Sequence, residues 1–168
     1  MSPNTSSPRR ERVRHLQTAP ALEVREVRNG DFFAWHDLFG AYLEESGLDI
    51  TDRHALQVWH WIAADPRKLE ALVATRDGAL LGFAHFHETV NPRTASLEVF
   101  IDDVYVLSRR ERDDLGDELF AAVHAEAIER GASHLRWTAC ASNALQQRFS
   151  SRYGRPVGSD VYELALSA

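Results

Sequence analysis

The chain has 168 residues, of which 44% are hydrophobic and 26% charged; this composition suits one globular domain and excludes a disordered, collagen-like or coiled-coil protein. Its single cysteine, Cys140, excludes a disulfide framework and a cysteine-based zinc site, and no apolar run approaches the ~18 residues of a membrane span. The net charge of −6 disfavours nucleic acid as the main partner and suits a cationic small molecule.

The first 20 residues differ in composition from the rest of the chain. They are rich in Ser, Pro and Thr and carry four arginines against one glutamate. Because such a segment can bury little apolar surface, we expect a flexible arm over 1–20 and a single folded domain over 21–168. The arm lacks the apolar core of a secretory signal, so we expect a cytoplasmic protein without a membrane partner.

Apolar periodicity predicts ten elements beyond this arm. Alternation with a period of two indicates strands, and apolar residues three or four apart indicate helices. In chain order, the predicted elements are a strand (22–28), two helices (32–47 and 51–64), three strands (69–74, 80–88 and 95–106), a helix (113–130), a strand (134–138), a helix (143–153) and a strand (160–166). This order, with one strand–helix–strand crossover, predicts an α/β (α+β) domain whose mixed sheet is covered by helices.

Two neighbouring carboxylates, Asp102 and Asp103, interrupt the longest apolar strand. Adjacent residues of a strand face opposite sides, so we expect at least one of them to face a cavity. A buried carboxylate is costly and often functional, which makes both candidates for proton transfer.

Two histidines, His85 and His87, lie two apart on the preceding strand and therefore share a face. They could bind a metal, line a polar cavity or simply pack; no third ligand follows at a fixed spacing, so we expect no metal site. We expect Cys140 to be a small buried side chain rather than a nucleophile.

The segment that leads into the third predicted helix could bind an anion. A helix start presents free N–H groups, which bind phosphate when the loop is rich in glycine. Here the acidic residues Asp113, Asp114, Asp117 and Glu118 crowd the start, and the arginines Arg109, Arg110 and Arg112 oppose them. An anion site and an ordinary helix start both remain open.

Several segments, taken in order, resemble the GNAT acyltransferase superfamily and most closely its diamine acetyltransferase branch. The matching segments are 72–74, 77–84, 102–106, 136–138, 143–144 and Tyr162. The resemblance covers 22–166. It implies a mixed, mostly antiparallel twisted sheet of six to seven strands with four helices, splayed between its fourth and fifth strands.

The resemblance also implies a donor and an acceptor site. Acetyl-CoA, or another acyl-CoA, would enter the splay as co-substrate, held by Val104, Tyr105, Val106, Arg112, Asp114, Leu115, Gly116, Asp117 and Asn143. An amine would attack the thioester directly, with Asp102 or Asp103 as its base. The acceptor pocket would be walled by Tyr42, Glu44, His85 and His87.

The sequence departs from the family pattern in two places. Glu111 stands at the Arg position of the phosphate loop and Asp114 at its first Gly, so only Gly116 matches. The position of the family's catalytic Tyr, which protonates the leaving thiolate, falls on Ser150. Tyr153 lies one turn later and is the candidate substitute.

We therefore expect a GNAT-like N-acyltransferase that moves an acetyl or other acyl group from acyl-CoA to the amine of a small molecule. The alternative is a GNAT-fold protein that no longer uses acetyl-CoA and serves as a different small-molecule enzyme or a binding protein. A purely structural or partner-binding module is the third option. The oligomeric state stays open, with a homodimer as one possibility.

Overall fold

The computed structural model of the protein describes residues 21–65, 67–158 and 164. The predicted arm over 1–20 lies outside the described residues, as does the predicted strand over 160–166 apart from residue 164. The described elements are β1 (Leu22–Glu26), α1 (Phe32–Glu45), α2 (Asp52–Ala64), β2 (Glu70–Arg76), β3 (Ala79–Asn91), β4 (Ser96–Val106), α3 (Arg112–Glu129), β5 (His134–Trp137) and α4 (Ala144–Arg152).

The strands form one mixed sheet in the order β1-β2-β3-β4-β5. The first three pairings are antiparallel and the β4–β5 pairing is parallel, with α3 as the crossover. The predicted α/β class, mixed sheet and four helices are confirmed. The expected six to seven strands are not matched, since the described part of the chain holds five strands; the predicted sixth falls almost wholly outside it.

The hairpin between β2 and β3 shows how local sequence sets the register of the sheet. Asp77 and Gly78 both have positive φ, at 52° and 78°. This is the turn geometry that matches the twist of an antiparallel pair, and Asp-Gly is among the dipeptides that adopt it most readily. The turn aligns β3 with β2 and thereby sets which side chains of β3 face α1.

The sheet opens between β4 and β5, where the resemblance implies a splay. All four residues of β5 pair with the segment Glu98–Ile101 of β4. The C-terminal part of β4, from Asp102 to Val106, has no β5 partner. One edge of β4 therefore faces a gap within the sheet.

Each face of the sheet carries its own core. The face covered by α3 and α4 buries, among others, Ile101, Val104, Val106, Leu119 and Phe149. The face covered by α1 and α2 buries, among others, Trp35, Phe39, Ala55, Phe83 and Tyr105. The aromatic side chains of Trp35 and Phe39 in α1 thus belong to the core. None of the described helices is long and apolar enough to cross a membrane.

Candidate active site

A β-bulge in β4 brings both predicted carboxylates to one face. The β3–β4 register passes from His85 opposite Asp103 to Phe86 opposite Ile101, which leaves Asp102 as the extra residue. Both carboxylates line the same cavity on the α1/α2 side of the sheet. The expectation that neighbouring strand residues point to opposite faces is therefore wrong at this position, because the bulge interrupts the alternation.

Asp103 belongs to a buried chain of hydrogen bonds that starts in α1. The indole Nε1 of Trp35 donates to His85 Nε2 at 3.0 Å. Because an indole N–H can only donate, Nε2 accepts and the proton of the ring lies on Nδ1, 3.1 Å from Asp103 Oδ2. The Tyr42 hydroxyl donates to the other oxygen, Oδ1, at 2.6 Å. Both nitrogens of His85 are thus engaged.

These contacts keep Asp103 ionised. Burial raises the pKa of its carboxyl, but the hydrogen bonds from His85 and Tyr42 outweigh burial and hold the pKa below its usual value. Burial, together with the negative charge of Asp103, raises the pKa of the Tyr42 hydroxyl, so the phenol keeps its proton. The geometry suits Asp103 to anchoring its two donors rather than to accepting a proton.

The second pair, His87 and Asp102, is more open. His87 Nδ1 lies 2.7 Å from Asp102 Oδ2, and each side chain is 32% exposed. Burial raises the pKa of Asp102, and the hydrogen bond from His87 offsets part of the rise. His87 Nε2 has no hydrogen-bond partner among the described residues. An imidazole held by a carboxylate at one nitrogen and open at the other can act as a general base.

The cavity that these groups line has a volume of about 510 Å³ and opens to solvent. Its floor is the sheet, and its walls come from α1, α2 and the segments beside them. Tyr42, His85 and His87 of the predicted acceptor set line it, whereas Glu44 does not. No three His, Cys, Asp or Glu side chains of the described residues stand close enough to hold a metal ion.

A second, smaller cavity of about 20 Å³ lies in the splay and shares Tyr42 and Ser46 with the first. Several predicted donor contacts meet there, namely Val104, Tyr105, Val106, Arg112 and Asn143. Side chains from α3 and α4 also reach the open edge of β4. Their bonds run from Gln146 to the carbonyl oxygen of Asp102 (3.2 Å), from Asn143 to that of Val104 (3.2 Å) and from Arg112 to that of Val106 (3.3 Å).

Three of the acidic residues at the start of α3 form ion pairs with arginines from elsewhere in the fold. The pairs are Glu111 with Arg76 (2.6 Å), Asp113 with Arg148 (3.1 Å), and Asp117 with both Arg148 (2.8 Å) and Arg152 (2.7 Å). These partners offset the carboxylates, and the N–H groups at the start of α3 add partial positive charge. The residues present therefore fit a phosphate-bearing ligand such as a CoA-type donor better than the loop sequence alone indicates.

Gly116, in the first turns of α3, has a packing role. A Cβ atom at this position would lie 2.4 Å from Cδ2 of Leu145, so its absence lets α3 approach α4 closely. Leu115 is buried in the core, and Asp114 is exposed to solvent. Of these three predicted donor contacts, none lines the splay cavity.

The two candidate proton donors of α4, Ser150 and Tyr153, are engaged outside both cavities. Ser150 Oγ accepts from Trp137 Nε1 at 2.8 Å and donates to a backbone carbonyl one turn earlier at 2.9 Å. The Tyr153 ring stacks on Phe120, with centroids 4.8 Å apart and planes at 11°. The structure therefore does not bring either group to the histidine–aspartate pairs.

Sequence reasoning missed Glu45 and chose its neighbour Glu44 instead. Glu45 lines the splay cavity, binds Arg112 Nη2 at 3.1 Å and accepts from the Tyr105 hydroxyl at 3.3 Å. Its position three residues after Tyr42, on the same helix face, was the available signal. The expectation of a buried Cys140 is also wrong, because the loop between β5 and α4 leaves this thiol exposed.

The acetyltransferase (GNAT) family model matches residues 32–154. None of the curated proteins matches the sequence significantly. Similar solved structures include a ribosomal-protein-alanine N-acetyltransferase from Brucella melitensis biovar Abortus 2308 (20% identity, TM-score 0.75, 87% of this chain and 100% of that one). A second is a possible acetyltransferase from Clostridium difficile 630 (16% identity, TM-score 0.76, 88% of this chain and 99% of that one). A third is an aminoglycoside N-acetyltransferase in complex with CoA (18% identity, TM-score 0.73, 89% of this chain and 98% of that one). At these identities the likeness shows a shared fold.

Proposed function

The chain belongs to the GNAT acetyltransferase family, and we propose that it transfers the acetyl group of acetyl-CoA to a small-molecule amine held in the 510 Å³ cavity. The observation that carries this proposal is the His87–Asp102 pair. Both residues line this cavity, and Nδ1 of His87 is held by Asp102 while Nε2 is open. Acetyl-CoA, when bound, supplies an acetyl group activated as a thioester.

On the donor side, the proposal rests on the open edge of β4 and on the loop before α3. The backbone of Val104 and Val106 faces the gap in the sheet, and α3 begins beside it. Arg109 and Arg110 form no ion pair with the described residues, so both are available to a phosphate-bearing donor. These groups would hold the donor in the splay.

On the acceptor side, the residues of the cavity would prepare the amine. A primary amine reaches the protein mainly as an ammonium ion, which is not a nucleophile until it loses a proton. The carboxylate of Asp102 attracts the cation. His87 Nε2 then accepts the proton, and Asp102 stabilises the resulting imidazolium through Nδ1. Asp103 keeps Tyr42 and His85 in place at the junction of the two cavities.

The proposal is tested by following thiol release from acetyl-CoA in the presence of a panel of primary amines. The variant His87→Gln removes the base, and we expect kcat to fall roughly 10²–10⁴-fold, the usual contribution of general base catalysis. His60→Gln is the matched control, because His60 is an exposed histidine of α2 that does not line the cavity.

Two outcomes contradict the proposal. If His87→Gln and His60→Gln have equal kcat values, His87 is not the base. If no thiol is released from acetyl-CoA with any amine, and acetyl-CoA does not raise the melting temperature, the protein does not use this donor. It is then the alternative, a GNAT-fold protein that no longer uses acetyl-CoA. Saturation at 100 times Kd stabilises a fold by about 2.7 kcal/mol, which a melting experiment detects readily.

A further inference from the structure

The carboxylates and the large apolar side chains of the acceptor cavity come from different parts of the fold. The sheet supplies the carboxylates, Asp102 and Asp103, which are neighbours in the chain. The helices and the segments beside them supply six large apolar side chains: Phe39, Leu43, Leu48, Val58, Trp61 and Leu69. The cavity is thus acidic at its floor, and its walls are mainly apolar, with Tyr42, Ser46, His54 and Lys68 as their polar members.

The charge distribution limits how many ammonium groups a ligand can place in this cavity. Both oxygens of Asp103 already accept hydrogen bonds, from Tyr42 and His85, whereas Asp102 uses only Oδ2, towards His87. Asp102 is therefore the carboxylate with an oxygen left for direct contact with a cationic nitrogen. The remaining charged residue of the lining is Lys68, whose side chain is 59% exposed. A second ammonium group of the ligand would find no carboxylate on the walls and would be repelled by Lys68.

The walls also expose apolar surface to solvent. Leu48 is 57% exposed and Trp61 is 38% exposed, although both line the cavity. An apolar ligand group placed against them would remove this surface from water, which is favourable at about 25 cal/mol per Å². The cavity volume of about 510 Å³ lies within the range of about 300–1,000 Å³ that is usual for small-molecule sites.

From these three observations we infer that the acceptor is a primary monoamine joined to an apolar aryl or alkyl body, rather than a polyamine or an aminoglycoside. The amine end lies at Asp102 and His87, and the apolar body lies against Leu48 and Trp61. This inference rests on the proposed acetyl transfer and adds the class of acceptor to it.

The test compares amines of equal charge and increasing apolar size. With ethylamine, butylamine and 2-phenylethylamine as acceptors, kcat/KM should rise about fourfold per methylene equivalent, which corresponds to about 0.8 kcal/mol for each buried CH₂. Putrescine, spermidine and kanamycin should each give values at least tenfold below that of 2-phenylethylamine. If one of these polycations gives a kcat/KM equal to that of 2-phenylethylamine, the inference is overturned.

Two leucines provide a matched pair of variants. Leu48 and Leu56 are 57% and 56% exposed, but only Leu48 lines the cavity. Leu48→Gln should lower kcat/KM for 2-phenylethylamine about tenfold and lower that for ethylamine much less, whereas Leu56→Gln should change neither. Equal effects of the two substitutions would contradict the assigned acceptor class.

A binding measurement separates this inference from the proposed function. The melting temperature is measured with 2-phenylethylamine or spermidine and without any donor. If 2-phenylethylamine stabilises the parent protein but not Leu48→Gln, while no acetyl transfer occurs, the ligand class stands and the proposed reaction fails. If acetyl transfer occurs but polycations are preferred, the reaction stands and the ligand class fails. If 2-phenylethylamine neither stabilises the protein nor accepts an acetyl group, the inference is overturned.

Discussion

Replacing Asp103 by asparagine should separate the anchoring of Tyr42 and His85 from proton transfer at His87. The carboxylate accepts from the Tyr42 hydroxyl at 2.6 Å and from His85 Nδ1 at 3.1 Å. An amide offers one acceptor oxygen and one donor group, so one of the two donors must lose its partner. Hydrogen bonds to charged groups contribute about 1.5–3 kcal/mol, and an unpaired buried donor costs about 1–3 kcal/mol. Because the Asp103 side chain is 26% exposed and water can replace part of the loss, we expect Asp103→Asn to lower the free energy of unfolding by about 2–4 kcal/mol.

The pH dependence of this loss follows from the direction of the pKa shift. The pKa of Asp103 is lower in the folded protein than in the unfolded chain, where it is about 3.9. The stabilisation by the carboxylate is therefore fully present above the unfolded pKa and is lost as the pH falls through the folded pKa. The difference between the parent and Asp103→Asn should be largest at neutral pH and should shrink below about pH 4.

Urea unfolding followed by circular dichroism at pH 7 and pH 3 measures both quantities. Activity is assayed at a temperature at which the variant remains folded, and there kcat should stay within a few-fold of the parent value. Equal stabilities at pH 7, or a difference that widens in acid, would refute the anchoring role. A loss of kcat as large as that of His87→Gln would show that Asp103 takes part in proton transfer.

Two further predictions concern the packing and the charges around the site. Gly116→Ala should destabilise the fold by about 1 kcal/mol, because the overlap with Leu145 outweighs the gain in helix propensity. In this variant, Leu145→Ala should lower the free energy of unfolding by less than it does in the parent protein. If the two substitutions have additive effects on the free energy of unfolding, the contact is contradicted. Glu98→Gln should lower the free energy of unfolding by about 1–3 kcal/mol at pH 7, because Arg136 holds the pKa of Glu98 to about 2. This loss should fade as the pH falls from about 4.3, the pKa of a glutamate in the unfolded chain, towards about 2, the pKa of Glu98 in the folded protein. If urea unfolding shows an equal loss at pH 7 and pH 2.5, the ion pair with Arg136 is not the source of the stabilisation.

The elements of the fold could be predicted because their signals are local. Asp77-Gly78 marks the hairpin turn, and the Trp35–Phe39 spacing marks the buried face of α1. The order of these elements, with the resemblance, was enough to predict the mixed sheet. The described residues hold five strands rather than six to seven, and the predicted strand over 160–166 falls almost wholly outside them.

The arrangement of the site was harder to predict, because it depends on contacts between distant segments. The bulge at Asp102 follows from the register against β3, which no periodicity along β4 reveals. The engagement of Ser150 by Trp137 depends on how α4 packs on β5. The ion pairs at the start of α3 likewise depend on arginines that are 31 to 35 residues away in the chain. The residue types were therefore predictable, whereas their partners were not.

The three side chains that reach the open edge of β4 also bear on the solubility of the protein. An unpaired strand edge is a template on which another chain can add a strand, and it promotes aggregation. Here Gln146, Asn143 and Arg112 already donate to the outward carbonyl oxygens of this edge. An invading strand would have to displace all three before it could form its own ladder. The gap in the sheet can thus stay open to a small ligand while resisting intermolecular β-pairing.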